Sequence, residues 1–335
     1  MKTNYIFLSY PIRWLSIIMV TTFICPSASL LAENTKSRIE FPLTDFSKTT
    51  INFSEIRNDG INRDSIPSIY KPKFLLAKKI RNIGENEPVI SLEINGDSRA
   101  YPLRVLVWHE LINDFVGNEP ILVSFSPLCN SAIIFSRRLN GQILDFQNTG
   151  RTRHFNTVMF DSNSESWWQQ FSGESIIGSY SGEHLSKMVS RRESFKFFKA
   201  HSKYGKVMVP KNPEAHKYGT TPFVRMDSHN DLASKFPYTF PKGIKPIEQV
   251  VVVENNAWPL ALLTHKRRIL KENILLLWNP GQNSIYDTYW IPFGRDIGNI
   301  TIKRKIGGDW VDALYDTAFA FTVAAIKKNI EWHLK

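Results

Sequence analysis

The sequence predicts a β-rich α+β fold made of two divergent pseudo-repeats that share one core. Three observations support this prediction, and each occurs twice along the chain: a β-hairpin pattern, an apolar strand followed by Asn-Ser, and an aromatic amphipathic helix. The order is the same in both places, namely hairpin, strand, Asn-Ser turn and helix. One matching block could arise by chance, but three in the same order indicate an internal duplication.

The hairpin pattern is an apolar strand, a turn and a second strand ending in an aromatic residue, Pro and Leu. The first copy runs from Val89 to Leu103 and the second from Val250 to Leu260. The first turn is Asn95-Gly96, and the second is expected at a shorter Asn255-Asn256 link. These residue types tolerate the positive φ that tight hairpins require.

The strand and helix patterns complete each copy. The segments ILVSFSPLCNSAI (121–133) and ILLLWNPGQNSIY (274–286) align without a gap. Aromatic residues at helical spacing follow at 195–200 and at 319–330. Residues 140–178 have no counterpart in the second copy, so the copies have diverged.

The expected organisation has four parts: a signal peptide (1–32), an N-terminal extension (33–58), a first repeat with the candidate site (59–235) and a second, degenerate repeat (236–335). Residues 1–32 combine a basic start with the apolar stretch from Trp14 to Ile24 and small residues near Ala32. This pattern is typical of a secretory signal, and it predicts export to the periplasm or cell envelope. An uncleaved membrane anchor is the alternative.

Charge and cysteine content narrow the function classes. The chain has 42 Lys and Arg against 31 Asp and Glu, a net charge of +11, but the basic residues are scattered. Helix-turn-helix, zinc-finger and aromatic RNA-binding signatures are missing from the sequence, so nucleic acid is not the expected partner. An anionic envelope surface or a small ligand fits better. Loss of Cys25 with the signal would leave Cys129 without a partner for a disulfide.

His109 is the first candidate catalytic residue. The segment from Trp108 to Asp114 is predicted to be a short helix that ends near Gly117. On such a helix His109 and Asn113 share one face, and Glu110 and Asp114 share a neighbouring one. His109 could act as a general base, or as a ligand of a divalent metal, although no cofactor is indicated. The alternative is a helical turn whose His and Asp tie down nearby backbone.

Cys129 and Asp161 are the other candidate catalytic residues. Cys129 follows a strand, where its thiolate could be a nucleophile with His109 or His154 as base. A small buried side chain is the alternative. Asp161 ends the predicted strand 156–161, and it could also cap the following turn.

The remaining candidates are predicted to bind a ligand. Trp168 could offer a stacking platform, while its neighbour Trp167 must face the other way on a strand. The full set of predicted binding residues is Glu110, Asn113, Asp114, Asn130, His154 and Trp168.

Long segments of the sequence closely resemble the bacterial domain-of-unknown-function family 3179. They include DSIP (64–67), residues 87–114, FSPLCNSAIIFSRRLNG (125–141), NTVMFD (156–161) and SWWQQFSGESIIG (166–178). The resemblance extends from about residue 55 to the C-terminal helix, and it implies no particular activity. The family shows C-P-L-C-G where this chain has Ser126-Pro127-Leu128-Cys129-Asn130. A paired-thiol redox or metal role, which the family pattern permits, therefore lacks one thiol here.

Two functions are consistent with these observations. The first is an exported envelope protein that binds a ligand or partner, with a site in the first repeat. The alternative is an enzyme of unknown reaction with a His/Cys/Asp or metal-assisted site around His109, Cys129 and Asp161.

Overall fold

The computed structural model describes residues 35–58, 60–228 and 238–335, and about 41% of residues lie in strands against 15% in helices. The predicted β-rich α+β class is confirmed. The predicted signal peptide (1–32) and the predicted boundary between the repeats (235/236) lie outside the described residues.

The elements up to residue 209 are as follows: α1 (35–40), β1 (Ile56–Asn58), β2 (Ile69–Tyr70), β3 (Lys73–Leu76), β4 (Pro88–Ile94), β5 (Asp97–Pro102), α2 (Leu103–His109), β6 (Leu111–Val116), β7 (Glu119–Ser126), β8 (Ser131–Ser136), β9 (Arg138–Leu139), β10 (Gln142–Ile143), β11 (Phe146–Arg153), β12 (Asn156–Asp161), β13 (Trp167–Gln169), β14 (Ser175–Ile177), β15 (Arg191–Ser194), α3 (Phe195–His201) and β16 (Lys206–Val209). The later elements are β17 (Gln249–Val253), β18 (Asn256–Pro259), α4 (Leu260–Lys266), β19 (Arg268–Lys271), β20 (Ile274–Asn279), β21 (Asn299–Ile306), β22 (Asp309–Asp312), β23 (Asp316–Phe319), α5 (Ala320–Ile326) and β24 (Glu331–Trp332). Three short 3₁₀ turns lie at Phe53–Glu55, Ala77–Lys79 and Ile291–Phe293.

The described strands form five sheets of four or five strands, besides the small β9–β10 ribbon. Sheet I has the order β1-β11-β12-β13-β14, sheet II β2-β6-β7-β8, sheet III β15-β4-β5-β16-β3, sheet IV β23-β17-β18-β24 and sheet V β19-β20-β21-β22. Sheet III contacts sheets II and V, and sheet II contacts sheet I. Shared apolar clusters join sheet IV to sheets I and V. The result is a propeller-like arrangement of five sheets.

Two parts of the chain run through the same order of pairing: the first part is residues 35–228 and the second part is residues 238–335. In the first, hairpin β4–β5 leads into α2 and strands β6 to β8; later β15 pairs antiparallel with β4, and β16 follows α3 to lie parallel to β5. In the second, hairpin β17–β18 leads into α4 and strands β19 to β21; later β23 pairs antiparallel with β17, and β24 follows α5 to lie parallel to β18. Sheet I belongs to the first part alone.

The two parts pack across each other. Strand β15 lies against β21 of sheet V, and β23 lies against β8 of sheet II. The backbone N–H of Phe319 donates to the carbonyl of Cys129 at 2.9 Å, and that of Ser194 donates to Oδ1 of Asn299 at 2.7 Å. Each part therefore supplies hydrogen-bond acceptors that the other needs.

The helix predicted from Trp108 to Asp114 is wrong beyond His109. Helix α2 ends at His109, and Glu110 adopts φ 57°, ψ −39°, which stops the helical hydrogen-bond ladder. The chain then enters β6, where Asn113 and Asp114 pair with Leu122 and Ile121 of β7. The shared helix faces on which the His109 site was based consequently do not exist.

The hairpin predictions are confirmed, with one correction. The first turn is Asn95-Gly96, as predicted, with φ 51° and 77°. The second turn is Glu254-Asn255, because Val253 already pairs with Asn256. Both turns have two residues, so the first hairpin is longer than the second because its strands are longer. The predicted aromatic helices are also confirmed as α3 and α5.

A bulge in β11 directs polar side chains into the molecule. The register against β12 shifts between Asn148 and Arg151, and Gly150 in the bulge has φ +72°. A Cβ atom on Gly150 would lie 2.4 Å from the carbonyl oxygen of Ile61. Glycine is therefore required for this close backbone approach.

Candidate ligand cavity and buried polar network

Glu110 lies at the centre of a buried polar network in the first part of the chain. Its Oε2 accepts hydrogen bonds from Nδ2 of Asn148 and from the hydroxyl of Thr157, both at 2.8 Å. The backbone N–H of Thr157 also donates to Oγ of Ser126 at 3.1 Å, and the Ser126 hydroxyl lies 3.1 Å from the hydroxyl oxygen of Thr157, which can accept its proton. Burial raises the pKa of Glu110 to about 7, against the smaller opposing effect of these two hydrogen bonds.

Cys129 is fully buried beside this network. Nδ2 of Asn156 lies 3.1 Å from its Sγ, and that amide nitrogen also donates to Gln170 at 2.8 Å. Burial raises the pKa of the thiol, which disfavours the thiolate. Ser126 and Cys129 thus contact neighbouring residues of β12, Thr157 and Asn156 respectively. Ser126 is close to Cys129, whose Sγ lies 3.6 Å from the Ser126 carbonyl oxygen.

Asp161 does not join Cys129. It lies at the opposite end of β12 from Asn156, and its Oδ1 accepts the backbone N–H groups of Asn163 and Ser164. Its Oδ2 accepts the indole N–H of Trp168 at 3.0 Å. Five residues of extended strand separate the two ends by about 16 Å. The turn-capping alternative for Asp161 is confirmed, and the expected convergence of His109, Cys129 and Asp161 is not present.

The two tryptophans face opposite sides of β13, as expected, and both are fully buried. Trp167 packs with Phe41 and Phe160, whereas Trp168 packs with Phe146 in the cluster shared with sheet IV. Trp168 has no exposed face, so a stacking role for it is not supported by its position.

Two other predicted binding residues, Asn113 and Asp114, hold sheets together. Asn113 of β6 exchanges two hydrogen bonds of 2.9 Å with the backbone of Phe146. Asp114 accepts from Arg99 at 2.6 Å and from the hydroxyl of Tyr101 at 2.7 Å. Their polar groups are satisfied within the protein.

Asn130 and His154 occupy strained turns. Asn130 has φ 58°, and its Oδ1 accepts from Nη1 of Arg192 at 2.6 Å. His154 has φ 52°; its Nδ1 accepts from the hydroxyl of Tyr238 at 2.7 Å, and its Nε2 lies 3.2 Å from Glu55. Burial lowers the pKa of His154, and Arg153 adds to this effect.

His109 lies behind the wall of a cavity. Its Nδ1 is 2.8 Å from the carbonyl oxygen of Pro67, an acceptor only, so this nitrogen carries the proton. Nε2 then accepts from the hydroxyl of Tyr218 at 2.8 Å. Burial lowers the pKa of His109, which favours this neutral form. The imidazole of His216 meets the His109 ring edge-on at 5.0 Å and stacks on Trp108.

This cavity has a volume of about 550 Å³ and lies beside sheet III, between the segments 73–83 and 208–218. Among the described residues, five cationic side chains line it and no carboxylate does; the cations are Lys73, Lys79, Arg81, Arg104 and Lys217. His216, Tyr218 and Trp290 add aromatic surface. Such a volume is typical of sites for small molecules.

Arg104 is fixed in the cavity wall. Its Nε lies 3.0 Å from the buried carboxylate of Glu87, and its Nη1 donates to the carbonyl of Asn82. Gly219 (φ +97°) packs against the guanidinium, where a Cβ atom would lie 2.1 Å from Nη2. The position of the Arg104 guanidinium is therefore fixed before any ligand binds.

The cavity residues were not predicted from the sequence, apart from His109 behind the wall. The basic run 78–82 was a local signal, but Lys73, Arg104 and Lys217 come together only because β16 pairs with both β3 and β5. In the described part of the chain, no group of three or more His, Cys, Asp or Glu side chains has a metal-binding arrangement. Nor does any described helix have the length and apolar character needed to cross a membrane.

Comparison with known proteins identifies the family. No curated protein and no solved structure matches the chain. A family model, described as "Protein of unknown function (DUF3179)", matches residues 63–334, which include the cavity and every strand of the five sheets except β1. The chain therefore belongs to this uncharacterised family.

Proposed function

We propose that this chain is an exported envelope protein that binds a small anionic molecule in the basic cavity. The observation that carries the proposal is the lining of that cavity, where the described residues supply five cations and no carboxylate, and only Arg104 among the five is paired, with Glu87. Like charges facing one space repel each other, so an anion is the complementary occupant. Export rests on the sequence of residues 1–32.

The aromatic residues refine the expected ligand. Trp290 is 51% exposed at the cavity edge and can cover one face of a planar or apolar group. Tyr218 donates its proton to His109, so its oxygen is left to accept a hydrogen bond. A carboxylate or phosphate attached to an unsaturated ring that also carries an N–H or O–H donor would satisfy these features together.

The enzyme alternative is less well supported. Cys129 and Asp161 are both fully buried, and the pKa of the thiol is raised. His109 is nearly buried, with both ring nitrogens engaged by Pro67 and Tyr218. These positions favour binding over chemistry at the three residues.

We also infer that the two parts of the chain are descended from one ancestral unit. The support is the shared order of strands and helices, together with the matching turn after the first helix of each part. Glu110 and Arg267 have φ 57° and 62° there, and both donate a backbone hydrogen bond of 2.8 Å to the residue four positions earlier. In this view the second part has lost the buried carboxylate, since Arg267 is exposed.

Calorimetric titration tests the binding proposal. Citrate and phenyl phosphate serve as anionic probes and glucose as a neutral one. The double variant Arg81→Ala/Lys217→Ala removes two exposed cavity cations, and it should weaken binding of both anions about tenfold at low salt. Trp290→Ala should weaken phenyl phosphate more than citrate.

The matched control is Lys266→Ala/Arg268→Ala, which removes the same charge from an exposed part of the second half. It should leave both affinities within about twofold of the parent. Equal weakening by the two double variants would show that the loss of affinity comes from the lower net charge of the protein and not from the cavity. Absence of binding by either anion at millimolar concentration would refute the cavity as an anion site.

A further inference from the structure

Arg192 is a buried cation without a buried counter-charge. It lies in the middle of β15, opposite Ile90 of β4, and is 5% exposed. Its Nη1 donates to Oδ1 of Asn130 at 2.6 Å, but Nε and Nη2 have no hydrogen-bond partner among the residues that the structure describes. The ionisable groups that act on it are Tyr286 and Tyr315, and no described carboxylate pairs with it. An uncompensated buried charge costs several kcal/mol.

The two unpartnered nitrogens are the ones that bind anions side-on. Nε and Nη2 project their N–H groups from the same edge of the guanidinium, so a single acceptor atom can receive both. Three other arginines of this chain use this pair in that way. Arg99, Arg153 and Arg191 each direct Nε and Nη2 to one carboxylate oxygen, of Asp97, Glu55 and Asp312 respectively, at 2.6–3.1 Å.

Arg191 provides the closest comparison because it is the preceding residue on the same strand. Successive side chains of a strand point to opposite faces, and the outward-facing Arg191 meets Asp312. The inward-facing Arg192 meets Asn130 and the region of Tyr286 and Tyr315, which come from both parts of the chain. Its donors therefore face the junction between the two parts.

We propose that Arg192 holds a small monovalent anion at this junction, bound side-on by Nε and Nη2. A neutral water molecule can accept a hydrogen bond but cannot offset the charge. The anion must be small, because Asn130 and Tyr286 are 1% and 2% exposed and close off the surroundings. Halide, nitrate and formate are small monovalent anions that can accept both N–H groups. Arg192 does not line the basic cavity, so this site is independent of the ligand proposed there.

Anomalous diffraction tests the site without any substitution. Crystals of the full protein grown or soaked in bromide should show an anomalous peak in contact with both Nε and Nη2 of Arg192. Formate in place of bromide should give planar density at the same point. Density for water alone in both crystals would overturn the proposal.

Thermal unfolding at constant ionic strength provides the solution test. Replacing gluconate, which is too large for the site, with chloride or nitrate should raise Tm saturably by about 3 °C or more. Arg191→Met should keep this dependence, since only the partly buried ion pair with Asp312 is lost, whereas Arg192→Met should abolish it. If Arg192→Met does not fold, the anomalous peak in the parent protein decides. A parent Tm that is indifferent to the anion, or an equal response of both variants, would contradict the site.

Discussion

At the scale of single residues, Glu110 is held in two unfavourable conditions at once. Its backbone lies at φ 57°, ψ −39°, outside the regions that non-glycine residues prefer, and its carboxyl group is fully buried. The backbone strain belongs to the turn, since exposed Arg267 adopts φ 62° in the second part. The burial, however, is particular to Glu110, because only the first part of the chain has sheet I to cover it.

The titration of Glu110 should make stability depend on pH. Its pKa is about 7 in the folded protein, above its ordinary value of 4.5, so the folded state binds the proton more tightly than the unfolded chain does. The stability associated with the neutral form is complete below pH 4.5 and is lost as the pH rises through 7. The loss is on the order of 3 kcal/mol at most.

Glu110→Gln is therefore expected to flatten the pH dependence of unfolding between pH 4.5 and 8. The amide oxygen can still accept from Asn148 and Thr157, and no charge has to be buried. Urea unfolding of parent and variant at several pH values measures the difference. Glu119→Gln, at the edge of β7, is the control, and it should retain the slope of the parent. Parallel curves for Glu110→Gln and the parent would show that Glu110 does not titrate in this range.

Single residues also show how far local sequence could predict the site. The capping role of Asp161 was predictable because its partners, Asn163 and Ser164, are two and three positions away. The partner of His109 was not, since Tyr218 is 109 positions distant. Local rules find polar groups that are satisfied by their neighbours, whereas a cavity depends on pairing between remote strands.

At the scale of elements, the bulge of β11 connects the backbone to the buried network. Gly150 lets the strand approach the chain at Ile61, and its N–H donates to Oδ1 of Asn148 at 2.8 Å. Asn148 in turn reaches Glu110. A distortion in one strand thus supplies one of the two hydrogen bonds to the carboxyl group of Glu110.

Gly150→Ala should destabilise the protein by about 2 kcal/mol or more, because the new Cβ adds a backbone clash to an unfavourable positive φ. Gly141→Ala is the control: Gly141 has φ +79° but open space around it. That substitution should cost only about 1 kcal/mol. Chemical denaturation compares the two, and equal losses would mean that the approach to Ile61 is not the constraint.

The error in the predicted helix 108–114 is also explained at this scale. The segment has helical spacing, but Leu111, Ile112 and Val116 are apolar positions that also fit a strand buried on both faces. Pairing with β7 decides in favour of the strand. The hairpins and the helices α3 and α5 were predictable because local turn residues and aromatic spacing determine them.

At the scale of the whole molecule, the β-rich class followed from the sequence, but the five-sheet arrangement did not. Sheet III joins β3, β4, β5, β15 and β16, whose residues span positions 73 to 209. No local pattern specifies such pairings. The described part of the predicted N-terminal extension, residues 35–58, contributes β1 to sheet I. Its Phe41 is fully buried against Trp167 of the same sheet.

Export makes a prediction for the intact chain. When the gene is expressed in a bacterium with a secretion pathway, the periplasmic fraction should contain a protein that begins at Glu33, after cleavage at Ala32. Intact-mass measurement and N-terminal sequencing establish the first residue. A cell that retains the full-length chain in its membrane fraction would support the anchor alternative, and full-length chain in the cytoplasm would rule out export.

The crossing of β15 onto β21 and of β23 onto β8 has a consequence for how the chain can be cut. A break between residues 228 and 238 leaves two fragments, each of which exposes strands that the other fragment covers. We expect neither fragment to be soluble by itself. The two fragments expressed together should reassemble through the contacts of β15 with β21 and of β23 with β8. The same reciprocity allows two intact chains to exchange their C-terminal portions and form an intertwined dimer at high concentration.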